Sequence, residues 1–262
     1  MKLSIITAVT MSAALALGAC SEQAVADAAN AAAPQNTAAP TSADAITQAL
    51  ADPARADQAG DDARRQAAAA LEFSGVKAGD TVIDYIPGSG YWTRIFTGIV
   101  GPEGKVYAIW PGTGDKIPQS LTDLKAKNLA NVTAETLAPD QPLPADADLF
   151  WTVQNYHDIA NNGGADALAA FDKRVFAALK PGGTYIVIDH AAEAGSGLRD
   201  TDTLHRIDPA IVKSQVTAAG FEFVGESPVL ANAQDDHTLK VFDPKVRGHT
   251  DQFIYKFRKP AE

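Results

Sequence analysis

The chain has 262 residues, 22 basic against 32 acidic side chains, a net charge of −10 and a single cysteine, Cys20. No basic run is present to meet phosphates, which argues against a nucleic-acid partner. One thiol excludes a disulfide framework and disfavours a cysteine metal cluster, while small or cationic substrates stay open.

At the start of the chain, Lys2 precedes an uncharged, mostly apolar stretch over residues 3–19. It is short for a membrane span and placed as a secretory signal. Its end, Leu17-Gly18-Ala19-Cys20, resembles the lipobox of bacterial lipoproteins. That resemblance implies removal of residues 1–19 and lipidation of Cys20, the protein's only membrane contact. Ser21 in the next position implies sorting to the outer membrane, with the protein exported to the periplasmic side. Residues 20–50 are Ala, Pro, Gln, Asn, Thr, Ser and Asp with few large apolar side chains, the composition of a flexible tether. A short helix within residues 43–50 is compatible with this pattern. Residues 51–262 are then the folded part, and about 200 residues suffice for one well-buried domain.

Within that domain, Asp62 can cap a helix running through Ala70 and Leu71, which Gly75 stops. An apolar strand over residues 81–86 ends in the loop Pro87-Gly88-Ser89-Gly90. A helical pattern follows, with Ile95, Phe96, Ile99 and Val100 on one face, then a Gly-Pro-Glu-Gly turn and a second strand over 105–110. This strand, glycine loop, helix and strand make a parallel unit with a ligand crevice above the first strand. Glycines let a ligand approach the backbone, and the next helix offers it free N–H groups. A weaker helix carries Leu121, Leu124 and Leu129, and strands follow at 132–137 and 149–153. Leu168, Phe171, Val175 and Leu179 mark a helix ended by Lys180-Pro181-Gly182-Gly183. The β-branched run 184–189 reads as a central strand covered on both faces. Asp208-Pro209 opens a helix that reaches Gly220. Strands at 221–225 and 251–258 are separated by the irregular segment 226–250. The pattern predicts an α/β three-layer sandwich with a mostly parallel seven-stranded sheet and an antiparallel late strand.

The glycine loop after the first strand, LKPGG before the fifth and AAGF before the sixth resemble class I S-adenosylmethionine-dependent methyltransferases. The segments around residues 71–109, HDI, FDKRVFAALKPGGTYIVIDH and DTDTLHRIDPAIVKSQVTAAGF resemble more narrowly a group of bacterial methyltransferases, many with export signals. The resemblance implies S-adenosylmethionine as cofactor and a small-molecule or envelope acceptor. It places Asp84, Pro87, Gly88, Ser89 and Gly90 around the amino-acid part of the cofactor, with Gln154 and Asn155 beside them. The chain departs from the pattern twice. Ile86 stands where the first loop glycine is usual. Trp110, followed by Pro111, stands where an acidic residue usually grips the ribose hydroxyls. An indole at that position can stack on adenine instead, and Asp115 can reach in from the loop.

Beyond the carboxyl ends of the central strands lie two clusters, Gln154-Asn155-Tyr156-His157-Asp158 and Asp189-His190. His157 is the leading general base because its unperturbed pKa lies near operating pH, with Asp158 to orient it and His190 as a further catalytic candidate. Alternatively Tyr156, His157 and Asp158 close the helix behind them as a structural loop. Segments 192–206 and 226–250 are long enough to cover the crevice. His205 and Arg206 face an anionic substrate in one reading and form a capping and ion-pair set with Asp208 in the other. The pairs His157-Asp158, Asp189-His190 and Asp236-His237 offer metal ligands, but none has zinc-protease spacing, so no metal is expected. Ser89 lacks the flanking glycines of a hydrolase nucleophile elbow. The competing function is a non-catalytic ligand- or partner-binding lipoprotein on the same frame.

Overall fold

The computed structural model describes residues 41–112 and 117–261. The expectations for the leader, Cys20, most of the tether and Asp115 fall outside those residues.

Seven strands form one sheet: β1 (Thr81–Tyr85), β2 (Lys105–Pro111), β3 (Val132–Leu137), β4 (Ala147–Val153), β5 (Leu179–His190), β6 (Glu222–Ser227) and β7 (Gln252–Arg258). Their order is β3-β2-β1-β4-β5-β7-β6. The first five run parallel, and β7 runs antiparallel between β5 and β6. Strand order reverses between β1 and β4, which is where an open α/β sheet leaves a crevice at its carboxyl edge.

Among the described residues, seven α-helices complete the layers: α1 (Ser42–Leu50), α2 (Ala67–Ser74), α3 (Tyr91–Val100), α4 (Gln119–Ala126), α5 (Tyr156–Asn161), α6 (Gly164–Ala178) and α7 (Pro209–Ala218). The strand period of two splits the core between the faces. Val82, Val106, Leu149, Trp151 and Ile186 meet α1, α2 and α3 on one side. Ile83, Tyr85, Phe150, Tyr185 and Val187 meet the side chains of α5, α6 and α7 on the other. This is the three-layer sandwich expected.

Three local expectations change. The tether does not extend to residue 50, because α1 is a built helix with a Thr41–Asp44 capping box. It buries Ala45, Ile46 and Ala49, and a Cβ on Gly98 of α3 would lie 2.9 Å from that of Ala49. Small side chains on both helices allow a close approach, so a segment poor in large apolar residues still packs. Asp62 does not cap α2. Its carboxylate instead holds the buried Arg55 at 2.7 Å and accepts from the Tyr91 hydroxyl at 2.5 Å. The helix begins later, at Ala67, and stops at Gly75, whose φ of +80° suits glycine. Finally, α6 ends at Ala178, and Lys180-Pro181-Gly182-Gly183 falls inside β5 as an irregular stretch, with Gly182 at φ +78° and a break in the β4–β5 register.

Candidate functional site

The Pro87–Gly90 loop leaves β1 through three positive φ values: Ile86 at 56°, Gly88 at 56° and Gly90 at 76°. A β-branched residue pays heavily for that conformation, so Ile86 is strained. Its N–H donates to Ile109 O at 2.8 Å, which ties the bend to β2. The loop closes on itself through Gly90 N–H to Pro87 O at 2.8 Å. A Cβ on Gly88 would meet nothing within 4 Å, so the outside of the loop is open. One on Gly90 would strike Leu124 at 2.7 Å, which makes that glycine a packing requirement. Gln58 donates to Ser89 O and Oγ at 3.3 Å each, from the segment between α1 and α2.

Asp84 is buried beneath this loop and does not reach its open face. Its carboxylate accepts from Thr93 Oγ1 at 2.6 Å and anchors the first turn of α3. Burial raises its pKa to about 7, against the lowering effect of the Thr93 bonds. Arg65 approaches the same end of β1. Its guanidinium lies 4.4 Å from the Tyr91 ring centroid, and its Nε is buried without a hydrogen-bond partner, the nearest carboxylate, Asp61, being 3.8 Å away. Burial, with Arg64 adding repulsion, lowers the Arg65 pKa. The Asp62 cap expected from sequence puts this residue inside a helix and gives it no role; in the structure it precedes α2, which begins at Ala67.

Trp110 does not face the crevice. The pleat puts Ala108 and Trp110 on the face covered by α4, where they pack with Leu121, Leu124 and Ala134. Stacking of this indole on a ligand in the cleft is therefore ruled out as built. Pro111 and Gly112, one step along, line a cleft of about 560 Å³ together with Tyr85, Ile86, Asp158, Phe171 and other residues of α5 and α6.

At the ends of β4 and β5 the two histidine clusters come together. His157 Nδ1 lies 2.8 Å from Asp189 Oδ1, and Asp189 Oδ2 accepts the His157 N–H at 2.9 Å. The His190 N–H also donates to Asp189 Oδ1, at 2.8 Å. The carboxylate orienting His157 is thus Asp189, not its sequence neighbour. Asp158 sits instead at the other ring nitrogen, 3.4 Å from Nε2. Burial opposes charge on both partners. The mutual attraction outweighs it, raising the His157 pKa and lowering that of Asp189. His190 Nδ1 pairs with Thr250 Oγ1 at 2.7 Å, and burial takes its pKa down to about 4, so it is neutral at ordinary pH.

Asn155 bridges the crevice, its amide donating to Tyr85 O at 3.4 Å and Ile86 O at 3.3 Å. On its far side a second cavity of about 470 Å³ is lined by Arg64, Arg65, Gln154, His190, Phe242 and Arg247, among others. The 226–250 segment contributes its wall, as expected of a covering loop. Arg206 plays no part in that cavity. It is fully buried, 2.8 Å from Asp235 and donating to Ala191 O and Leu239 O, so it fastens the segment to the end of β5. Asp208 caps α7 through Ala210 N–H at 2.9 Å. The capping and ion-pair reading therefore describes Arg206 and Asp208, whereas His205 is half-buried near Asp158, 3.7 Å from it.

No family model and no curated protein matches the sequence. Solved structures do match. A SAM-dependent methyltransferase from Aquifex aeolicus superposes with TM-score 0.52 at 18% identity, over 84% of this chain and 100% of that one. A methyltransferase seen with the Haloferax volcanii Trm112 activator gives 0.55 at 19% over 82% and 96%. The [4+2]-cyclase SpnF gives 0.57 at 17% over 86% and 98%. At such identities the likeness speaks for architecture alone: this chain has the class I methyltransferase fold.

Proposed function

We propose that this protein transfers a methyl group from S-adenosylmethionine to a small-molecule or envelope acceptor. One observation carries the reading: a glycine loop with an open outer face at the switch point of the sheet, with a cleft on one side and, on the other, the partly buried Arg65, whose buried Nε makes no hydrogen bond. The residues fit the cofactor. The loop's backbone and Gly88 would carry its amino-acid part, Arg65 would meet its carboxylate, and the cleft between Ile86, Pro111 and Phe171 would take the adenosine. When bound, that cofactor supplies an electrophilic methyl. The chain's task is alignment and exclusion of water. The second cavity, walled by residues of the 226–250 segment, suits the acceptor, and Arg64 and Arg247 in its lining suit an acidic one. Gln154 and Asn155 stand between the two spaces, and the Asn155 amide must release Ile86 O for one ligand to span them. The leader and lipobox suggest a periplasmic, lipid-anchored location.

A second reading, ligand binding without methyl transfer, is favoured by the absence of an acidic residue at the described end of β2, and a cyclase on the same fold warns that architecture does not fix reaction. Calorimetry on the full chain separates the two. Saturable binding of S-adenosylmethionine and its demethylated product is expected. Gly88→Arg, at φ +56°, should weaken it about a hundredfold, or about 2.8 kcal/mol. His157→Ala should leave it within a factor of a few. Absence of heat and of thermal shift at millimolar cofactor refutes the proposal.

A further inference from the structure

His157, Asp158 and His205 come together at the edge of the cleft, in an arrangement the methyl-transfer reading does not use. Nε2 of His157, a carboxylate oxygen of Asp158 and Nδ1 of His205 all lie within 4.8 Å of one another. Asp158 Oδ1 lies 3.4 Å from His157 Nε2 and 3.7 Å from His205 Nδ1. Ligands at bond lengths of about 2.0–2.1 Å around a tetrahedral ion stand about 3.4 Å apart, so a small contraction brings the three to one centre. We propose that these three side chains form a binding site for a divalent first-row transition cation.

Three features support the assignment independently. His157 presents Nε2 because its Nδ1 is engaged by the buried Asp189 carboxylate, the outer-shell arrangement that fixes a metal-bound imidazole and raises its basicity. His205 is held at φ +56°, a left-handed conformation that turns its ring edge-on to His157, 5.4 Å between centroids. Asp158 is half exposed and lines the 560 Å³ cleft, so coordination positions left over by the protein open toward ligand space. Two imidazoles and one carboxylate suit zinc, cobalt or iron(II) better than calcium or magnesium, which prefer all-oxygen sets. The remaining positions would take water or an oxygen atom of a bound molecule. The sequence hid this site because His205 comes from the loop before α7, 47 residues after Asp158, and no regular spacing links them.

Cobalt(II) titrated into the full chain, without any adenosyl compound, tests the proposal through its visible ligand-field bands and through calorimetry. One equivalent should bind, displaceable by zinc. His205→Ala and Asp158→Ala should each weaken binding at least about tenfold, and Asp189→Asn about 10–100-fold by loosening the imidazole. His249→Ala, in the exposed part of the 226–250 segment, should bind as the parent does. Far-UV dichroism checks that the His205 and Asp158 variants, both altered at partly exposed positions, remain folded. No saturation at millimolar cobalt(II), or equal affinity in parent, His205→Ala and Asp158→Ala, overturns it. Because no cofactor is present, failure here leaves the methyl-transfer reading standing, and the reverse holds too.

Discussion

Two carboxylates lie fully buried at the carboxyl edge of the sheet, and they behave oppositely. Asp84, at the end of β1, meets one hydroxyl, and burial drives its pKa up to about 7. Asp189, at the end of β5, is equally buried, yet its pKa is lowered because His157 and two backbone N–H groups surround it. Depth alone does not decide ionisation; the donors within hydrogen-bond reach do. The β1 end is consequently a nearly neutral floor under a backbone loop, able to receive a charged ligand from above. The β5 end is a charged, rigid corner that fixes the direction of an imidazole.

The most severe way to break this contrast is to remove the charge at β5. Asp189→Asn keeps the shape but offers one oxygen to two backbone N–H groups and the His157 Nδ1–H, leaving one donor facing an amide. Removing one partner from a buried pair typically costs about 3–5 kcal/mol. Urea denaturation at neutral pH should register a loss in that range. A loss below about 1 kcal/mol would mean that Asp189 is not ionised in the native protein.

Acidity sharpens the same contrast. Asp84 and Asp172 both have folded pKa values raised to about 7 by burial, from an ordinary 3.8. Each therefore holds a proton in the folded state that the unfolded chain releases. Their contribution is fully present below about pH 4 and is lost as pH rises to about 7. Asp189 has the opposite sign: its pKa is lowered, so its contribution is present above the ordinary carboxylate range and lost on acidification. Between about pH 5 and 8, each raised carboxyl should cost on the order of 2–3 kcal/mol. Denaturation midpoints across that range should fall less steeply in Asp84→Asn than in the parent. An unchanged slope would make the two strand ends alike and remove the contrast.

The same division explains what the sequence discloses. The sheet was readable because β1, β2 and the core of β5 are short apolar runs that start or stop at glycines, and Gly75, Gly88 and the Asp208-Pro209 cap act within a few residues. Side-chain direction at the site was not. Trp110 stands at the expected place along β2, but the pleat turns it under α4, and the phase of a single strand cannot be fixed when both faces are apolar. His157 was a sound candidate, yet its partner is Asp189, 32 residues away on a neighbouring parallel strand, rather than Asp158. The adjacency of β4 and β5, once known, would have found it. Arg65 carried no such signal: the sequence places it in a helix from Asp62, whereas α2 begins at Ala67 and leaves Arg65 in the turn before it. A helix at residues 43–50 was legible, but its docking was not, because that packing rests on alanines against Gly98 and composition alone reads alanine-rich sequence as tether.

The subtlest probe is Ile86→Gly, at the departure from the usual glycine loop. Three contributions compete. Relief of a β-branched side chain from φ +56° favours the variant by about 1–3 kcal/mol. The extra freedom of glycine in the unfolded chain opposes it by about 0.5–1 kcal/mol. Loss of a half-buried side chain packed against Tyr85 and the α6 face opposes it by a further 1–2 kcal/mol. The ranges sum to between about −2 and +1.5 kcal/mol and their central values nearly cancel, so the thermal midpoint should move little. Ligand affinity should respond more, because Ile86 lines the 560 Å³ cleft and its carbonyl is held by Asn155. A glycine there frees volume beside the loop, and S-adenosylmethionine should bind more tightly by calorimetry. If instead stability dropped by several kcal/mol with no gain in affinity, Ile86 would be a core plug that closes the β1 end, and a glycine loop would no longer distinguish that end from its charged counterpart.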